Sequence, residues 1–237
     1  MPSLNGAVVL VTGANGGIGT HFVQAALDRG ATKVYATARN PQAWDDERIV
    51  PLALDVTDPA SIQAAVEAAP DVTVLINNAG ASVSSAGILT HTDDEIRRNV
   101  ETNFLGPLFL ARAFAPILST KDKSVIIDIH SALSWWAVAG IYSATKAALW
   151  SATNSLRLEL APEGVHVVGV HVGYVDTPMA AHATDPKTQP ADLVRIVFDA
   201  VDAGEHEVLA DEASVQLKAA LSAPLDAVYP QLKAANA

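Results

Sequence analysis

The sequence predicts a doubly wound α/β fold, in which helices cover both faces of a parallel β-sheet. Short and nearly continuous apolar runs alternate along the chain with longer stretches of helical spacing, as a sheet buried on both faces requires. Half of the 237 residues are hydrophobic, which is enough for a large core. Because no linker, internal repeat or low-complexity block interrupts this pattern, residues 1–237 are predicted to form a single domain.

The first half of the chain contains four of the apolar runs. Its predicted elements are a strand over 7–11, a helix over 18–27, strands over 33–38 and 49–54, a helix from Pro59 through 69, and a strand over 72–76. Gly30 suits the end of the first helix, because glycine readily adopts a left-handed conformation. Asp58 suits the N-cap of the second helix, with Pro59 as its first residue.

The second half repeats the alternation with longer helices. Its predicted elements are a helical stretch over 93–118, a strand over 124–129, a helix over 142–160, a strand over 165–171, a helix over 191–203 and a short strand over 207–210. Residues 178–190 interrupt the pattern and are predicted to form a loop.

Charge and composition exclude several functions. The chain has 26 acidic and 15 scattered basic residues, so neither a nucleic acid nor an anionic membrane is an expected partner. It has no cysteine, and its seven histidines form no His-x-x-x-His pair, so no metal site is predicted. Because neither a signal peptide nor a membrane span is evident, we expect a cytoplasmic protein.

The clearest motif is Thr-Gly-Ala-Asn-Gly-Gly-Ile-Gly over residues 12–19, between the first strand and the first helix. In open α/β sheets, ligands bind at the carboxyl ends of the strands, where glycines let backbone amides approach a pyrophosphate. The motif therefore predicts a dinucleotide site formed by Gly13, Asn15, Gly17, Ile18 and Gly19. The alternative is a tight turn that only packs the helix on the strand.

Arg39 ends the second predicted strand, where an NAD-selective site usually has a carboxylate. A cation there favours NADP over NAD, with Thr37 and Asn15 as further ligands of the 2′-phosphate. Arg39 could instead be a solvated surface residue, or the acidic residues 45–47 could neutralise it.

The next two strands also end in motifs that reach the same edge of the sheet. Asp55 and Val56 follow the third strand, and Asn78, Ala79 and Gly80 follow the fourth within Asn-Asn-Ala-Gly. We expect all five to contact the cofactor, although Asn-Asn-Ala-Gly could also be a simple turn.

Residues 131–146 carry a hydroxyl, a phenol and an amine. Tyr142 and Lys146 are four apart and share one face of the predicted helix, although such a pair often arises by chance. Trp135 and Trp136 could line a pocket or pack in the core.

Other polar residues near this edge have competing interpretations. Asn103 lies among apolar neighbours in a predicted helix, so its amide must bond a backbone group or order a water molecule. Three histidines flank the edge and are interpreted as structural: His130, His171 and His182.

Together these motifs resemble those of the short-chain dehydrogenase/reductase family, in its short, single-domain, Rossmann-like branch. Residues 12–19 match its glycine loop, and residues 77–80 match its Asn-Asn-Ala-Gly. The resemblance implies a catalytic tetrad of Asn103, Ser131, Tyr142 and Lys146. It also implies that Val175 and Thr177, in the segment 173–177, help to bind the nicotinamide, together with Tyr142 and Lys146.

The resemblance implies hydride transfer between a nicotinamide cofactor, with NADPH favoured, and a carbonyl or alcohol substrate. Tyr142 would donate the proton, and Ser131 would hydrogen-bond the carbonyl oxygen. Lys146 would bind the nicotinamide ribose and lower the pKa of Tyr142, while Asn103 would order a relay water. The alternatives are a non-catalytic dinucleotide-sensing regulator and an epimerase or dehydratase.

Two positions depart from the family pattern. Val172 replaces the usual proline before Gly173, and the loop between Ser131 and Tyr142 is shorter than usual, which leaves Ser134 as the alternative serine. The loop over 178–190 is a candidate lid without a charged cluster, which favours an apolar or bulky carbonyl. A homodimer or homotetramer is expected, paired through the long helices.

Overall fold

The computed structural model describes residues 3–82 and 87–234. Within these ranges seven strands form one parallel sheet in the order β3-β2-β1-β4-β5-β6-β7. The strands are β1 (Val8–Thr12), β2 (Lys33–Ala38), β3 (Ile49–Ala53), β4 (Val74–Asn77), β5 (Ser124–Ile129), β6 (Val165–His171) and β7 (Glu207–Leu209). The strand order reverses between β1 and β4, the point where open α/β sheets bind ligands. The predicted fold class is confirmed.

Helices lie on both faces of this sheet. The helices of the described residues are α1 (Ile18–Asp28), α2 (Pro59–Ala68), α3 (Asp93–Val100), α4 (Gly106–Leu118), α5 (Ile141–Leu160), α6 (Pro190–Ala203), α7 (Glu212–Ala219), α8 (Leu225–Val228) and α9 (Gln231–Ala234). Residues of α1 and α6 pack on one face of the sheet, and residues of α2, α4 and α5 pack on the other. In the described part of the chain, no helix combines the length and the apolar character needed to cross a bilayer.

Each face of the sheet has its own apolar core, because successive side chains of a strand point to opposite faces. Val9 and Val11 pack with α1 and α6, where the rings of Phe22 and Phe198 meet edge to face at 5.5 Å. Leu10, between the two valines, packs with α2, α4 and α5. Burial of this kind explains the continuous apolar runs of the central strands.

Two elements differ from the predicted ones for local reasons. The helical stretch over 93–118 contains a π-helical turn, Glu101–Leu105, that separates α3 from α4. The third strand is mostly exposed and contains Pro51, which is tolerated because β3 lies at the sheet edge.

The C-terminal region is more structured than the predicted strand and tail. After β7, Asp211 caps α7 by accepting a hydrogen bond from the Ser214 amide at 2.8 Å. This helix was not among the predicted elements, although an aspartate shortly after a strand is a common helix-start signal.

Candidate active site

The glycine loop brings the main chain of β1 close to the end of β4. Gly13 and Gly17 have φ values of 68° and 55°, which other residues rarely adopt. A Cβ at Gly19 would overlap the Gly13 carbonyl oxygen, and a Cβ at Gly13 would lie 3.1 Å from the Ala79 Cα. The loop can adopt this conformation only because Gly13 and Gly19 have no side chains.

Helix α1 begins at Ile18, directly after this loop. No described side chain caps its N-terminus, at Gly17; the Gly19 amide donates to the Gly16 carbonyl at 3.1 Å, and this helix end faces the glycine loop. This cradle fits the pyrophosphate of a dinucleotide, and the residues that would hold it are the predicted ones at 13–19.

Thr12 and Asn78 fasten β1 to β4 beneath the loop. The Thr12 hydroxyl accepts hydrogen bonds from the amides of Asn78 and Ala79, both at 2.9 Å. The Asn78 side-chain amide donates to the Thr12 carbonyl at 2.8 Å. The Asn-Asn-Ala-Gly motif thus ties the end of β4 to the end of β1 at this edge of the sheet.

Asn15 fastens the loop after β2 against the glycine loop. Its amide donates to the Asn40 carbonyl at 2.7 Å and accepts from the Gln42 N–H at 3.1 Å. This places Arg39, which is exposed, beside the dinucleotide cradle. Thr37 is buried and donates to the Val11 carbonyl at 3.0 Å, so the interpretation of Thr37 as a phosphate ligand is wrong.

The acidic residues near Arg39 have other partners. Asp46 binds Arg48 at 2.6 Å, and these hydrogen bonds lower the pKa of Asp46 to about 2. The pKa of Asp55 is lowered mainly by hydrogen bonds from Thr57, with a smaller contribution from the charge of Arg39. Among the described residues, no carboxylate forms an ion pair with Arg39, so the acids at 45–47 do not neutralise it through a salt bridge.

The structure brings together Ser131, Tyr142 and Lys146 at the end of β5. The Ser131 hydroxyl lies near enough to the Tyr142 phenol to lower the pKa of that phenol. The Lys146 Nζ lies 5.8 Å from the centroid of the Tyr142 ring and donates to the Ile129 carbonyl at 2.7 Å. Ser134 is buried, and its hydroxyl has no hydrogen-bond partner in the part of the chain that the structure describes.

Burial moves the pKa values of this phenol and amine in opposite directions. Loss of hydration raises the pKa of Tyr142 to about 12, and the nearby Ser131 hydroxyl partly opposes the rise. Loss of hydration lowers the pKa of Lys146 to about 8, and an ionised Asp128 would oppose this shift. Without bound cofactor, the pKa of Tyr142 is therefore raised, whereas the resemblance implies that Lys146 lowers it.

Asn103 lies in the π-helical turn and is fully buried. Its amide nitrogen donates to the Ala81 carbonyl, and its oxygen accepts from the Ala81 N–H, both at 2.8 Å. Of the two predicted possibilities, the side chain takes the backbone contact. It holds the chain that follows Gly80 next to the site.

The segment 173–177 lies against the glycine loop. A Cβ at Gly17 would lie 3.6 Å from the Thr177 methyl group, and the Thr177 hydroxyl donates to the Val175 carbonyl at 3.2 Å. The Gly173 N–H donates to Asp211 at 2.6 Å. Asp211 therefore holds this segment as well as capping α7, a role that no sequence motif indicated.

The two tryptophans of the loop between Ser131 and Tyr142, called the serine–tyrosine loop below, have different surroundings. Trp135 is buried, and its ring stacks on His171 with a centroid distance of 3.8 Å. Trp136 is 37% exposed, and the next residue, Ala137, donates its N–H to the Tyr229 hydroxyl at 3.1 Å. Trp135 thus packs in the interior, while Trp136 is available to line a pocket.

Known proteins are similar to this chain in sequence and in fold. Residues 7–188 match the family model described as short chain dehydrogenase. The NADP-dependent 3-hydroxy acid dehydrogenase of Schizosaccharomyces pombe is 29% identical over 240 aligned positions, which cover 89% of this chain and 93% of that protein.

Solved structures agree with this match. A short chain dehydrogenase from Burkholderia cenocepacia in complex with NADP superposes with a TM-score of 0.90 and 35% identity, covering 97% of this chain and 98% of that one. A 3-ketoacyl-(acyl-carrier-protein) reductase from Brucella melitensis, complexed with NADH, gives 0.81 and 25%, covering 87% and 97%. The chain therefore belongs to the short-chain dehydrogenase/reductase family and is an NAD(P)-dependent oxidoreductase.

Proposed function

We propose that the protein is an NADPH-dependent carbonyl reductase, which in the reverse direction acts as a secondary alcohol dehydrogenase. The observation that carries this proposal is the placement of Ser131 and Lys146 beside the Tyr142 phenol. A regulator that only senses a dinucleotide has no need for this combination of proton donor, hydroxyl and amine, which argues against that alternative.

Tyr142 is the proton donor in this proposal. Because its pKa is raised to about 12, the phenol is protonated throughout the neutral range and can give its proton to a carbonyl oxygen. The Ser131 hydroxyl hydrogen-bonds the same oxygen and so holds it within reach of the phenol. The nicotinamide, when bound, supplies the hydride that reaches the carbonyl carbon.

Lys146 acts on Tyr142 as the proton leaves. Below about pH 8 its amine is a cation, and its Nζ lies 5.8 Å from the phenol ring centroid. A cation at this distance stabilises a developing phenolate by about 3 kcal/mol at an effective dielectric constant near 20. The bond to the Ile129 carbonyl fixes where the amine stands, so that it can also bind the nicotinamide ribose.

Two features support NADPH as the preferred cofactor. Arg39 lies at the end of β2 without a described salt bridge, so its charge is available to a 2′-phosphate. The similar Burkholderia protein binds NADP, whereas the Brucella protein was complexed with NADH. The preference for this chain therefore rests on Arg39.

An apolar or bulky carbonyl compound is the proposed substrate class. The serine–tyrosine loop exposes Trp136 and Val138, and the segment after Thr177 exposes Met179. The candidate lid, 178–190, is held to the strand-end segment by hydrogen bonds of Thr188 to Tyr174 and Asp176. Apolar side chains on both segments favour a substrate with an apolar body.

We further propose a homodimer or homotetramer that pairs through α4 and α5. These helices expose a shallow groove lined by Leu108, Arg112, Ala152, Leu156 and Glu159. Sedimentation of the purified protein would show a monomer if this proposal is wrong. A cytoplasmic location stays a prediction from the sequence.

The test of the activity is oxidation of NADPH and NADH with a panel of ketones, aldehydes and quinones. Tyr142→Phe should reduce turnover roughly 10²–10⁴-fold, the usual contribution of a positioned acid, while the cofactor Kd stays nearly constant. Tyr35→Phe is the matched control, since it also removes a phenol hydroxyl, one that is bonded to Asp71 at 2.8 Å rather than to a site residue. Retained turnover in Tyr142→Phe would overturn the assignment.

A further inference from the structure

A chain of buried polar side chains lies behind Ser131, and the proposed reaction uses none of them directly. Asp128, Thr153 and His171 are 0% exposed and His130 is 2% exposed. The contacts are Asp128 Oδ2 to Thr153 Oγ1 at 2.7 Å, Thr153 Oγ1 to His130 Nε2 at 2.9 Å, and His130 Nδ1 to His171 Nε2 at 3.1 Å. His171 Nδ1 then reaches the Ser131 carbonyl oxygen at 3.1 Å.

The hydrogen of each contact can be assigned by starting from Ser131, because its carbonyl oxygen can only accept a hydrogen bond. His171 Nδ1 must carry a hydrogen, and a neutral imidazole has only one, so His171 Nε2 accepts from His130 Nδ1. His130 Nε2 is then an acceptor too, and the single hydrogen of the Thr153 hydroxyl must point to it. The remaining contact, between Thr153 and Asp128, therefore needs a hydrogen on the carboxyl group of Asp128.

Thr153 also lies 2.8 Å from the Leu149 carbonyl, which could compete for its hydrogen. In that case His130 Nε2 would have to donate to Thr153. His130 Nδ1 and His171 Nε2 would then face each other at 3.1 Å as two acceptors. With both imidazoles neutral, only a protonated Asp128 gives each of the four contacts from Asp128 to Ser131 a hydrogen; the Thr153–Leu149 contact then has none.

The other arrangement that fills all four contacts has an ionised Asp128 and an imidazolium in the histidine pair. Burial opposes both charges. It raises the pKa of Asp128, lowers the pKa of His130 well below its usual value, and lowers that of His171 to about 4.

The charged groups around the chain come from α5, β7 and α7, and a neutral amide comes from β4. On α5, Lys146 and Arg157 favour a charged Asp128 and disfavour an imidazolium. On β7, Glu207 has an oxygen 3.8 Å from His171 Nε2, beyond hydrogen-bond distance, and it also pairs with Lys218 of α7. From β4, Asn77 donates to the other oxygen of Asp128 at 2.8 Å, a bond that a neutral carboxyl group also accepts.

We propose that Asp128 is a neutral carboxylic acid at the head of a directed hydrogen-bond chain, through Thr153, His130 and His171, that positions the main chain of Ser131. The stacked ring of Trp135 holds His171 in this orientation. The four side chains are positioning residues, since none of them contacts Tyr142. Their effect on turnover rests on the proposed function, whereas the location of the protons does not.

Nuclear magnetic resonance of the full-length protein with ¹⁵N-labelled histidine tests the proton positions in the wild type. Both His130 and His171 should be neutral, with the hydrogen on Nδ1, and neither should titrate between about pH 5 and 8. An imidazolium in the pair, or a hydrogen on His171 Nε2, would overturn the proposal. This outcome is independent of any reductase activity and of the folding of any variant.

Asp128→Asn tests the charge, because an amide can donate to Thr153 as the neutral carboxyl group does. Turnover should stay within about threefold of the wild type. The loss of activity at alkaline pH, which reports Lys146, should not move. If Asp128 were ionised, removing its charge would lower the pKa of Lys146 and move that loss to lower pH, which would contradict the proposal.

Two substitutions of His171 separate its two hydrogen bonds. In asparagine the amide nitrogen is the same number of bonds from Cα as Nδ1 is in histidine. His171→Asn can therefore keep the hydrogen bond to the Ser131 carbonyl. Glutamine places its amide at the distance of Nε2 and can keep only the contact with His130. Turnover should fall roughly tenfold in His171→Gln and much less in His171→Asn, with an unchanged KM for the cofactor in both. Equal losses in turnover would refute the positioning role.

Discussion

The two halves of the sheet build their parts of the site by different means. At the ends of β1 and β4, main-chain atoms form the cradle, and the important feature is that Gly13, Gly17 and Gly19 lack side chains. At the ends of β5 and β6, distant side chains such as His171 and Asp211 hold the main chain in place. The half at β1 and β4, which would bind the cofactor, should therefore be disturbed by substitutions that add atoms. The catalytic half, at β5 and β6, should be disturbed by substitutions that remove a side chain.

The largest expected effect that tests this contrast is that of one methyl group in the glycine loop. Gly19→Ala places a Cβ against the Gly13 carbonyl oxygen, so the loop must shift away from the end of β4. An overpacking cost of about 2 kcal/mol corresponds to a roughly 30-fold rise in the Kd for NADPH or to an equal loss of stability. Fluorescence titration and thermal unfolding measure both.

Gly16→Ala is the matched control, because a Cβ there meets no atom within 4 Å. Its Kd for NADPH should stay close to that of the wild type. Equal effects of the two alanines would mean that the close approach of the main chain does not shape the cradle.

Arg39 is the exception in the cofactor half, since its proposed role depends on a side chain. Arg39→Ala should raise the KM for NADPH roughly tenfold, as expected for the loss of a charged hydrogen bond, and leave the KM for NADH nearly unchanged. Arg48→Ala, which removes the partner of Asp46, is the control for a general change in surface charge. A parallel rise for both cofactors would contradict the assignment of NADPH.

In the catalytic half, removal of one carboxylate should loosen two segments at once. Asp211→Ala deprives the amides of Gly173 and Ser214 of their acceptor, which should lower the free energy of unfolding by about 2 kcal/mol. The KM for the cofactor should rise, because the segment 173–177 borders the glycine loop. Asp226→Ala, which breaks an exposed ion pair with Lys233, should change neither quantity.

The smallest effect is a pH dependence set by Lys146. Because burial lowers its pKa from 10.5 to about 8, the amine is charged below that pH and loses its proton above it. Reductive kcat/KM should therefore be level near neutrality and fall as the pH rises through about 8. Tyr142, with a pKa of about 12, should stay protonated over this range. A decline that begins only near pH 10 would show that Lys146 is not the titrating group.

Two interpretations from the sequence depended on which groups pair in the fold. Thr37 was interpreted as a further ligand of a 2′-phosphate, yet the sheet buries it and its hydroxyl donates to the Val11 carbonyl. The acids at 45–47 looked able to neutralise Arg39, yet Asp46 turns to Arg48. Sequence proximity indicated which charges are near one another but not which of them pair.

The sequence by itself determined the alternation of strands and helices, the glycine loop and the spacing of Tyr142 and Lys146, because each depends on residues that are neighbours in the chain. Only the tertiary structure decided what holds the catalytic half. His130 and His171 are 41 residues apart, and Gly173 and Asp211 are 38 apart. The protonation of Asp128 depends on burial by several elements, and no local pattern of residues encodes that burial.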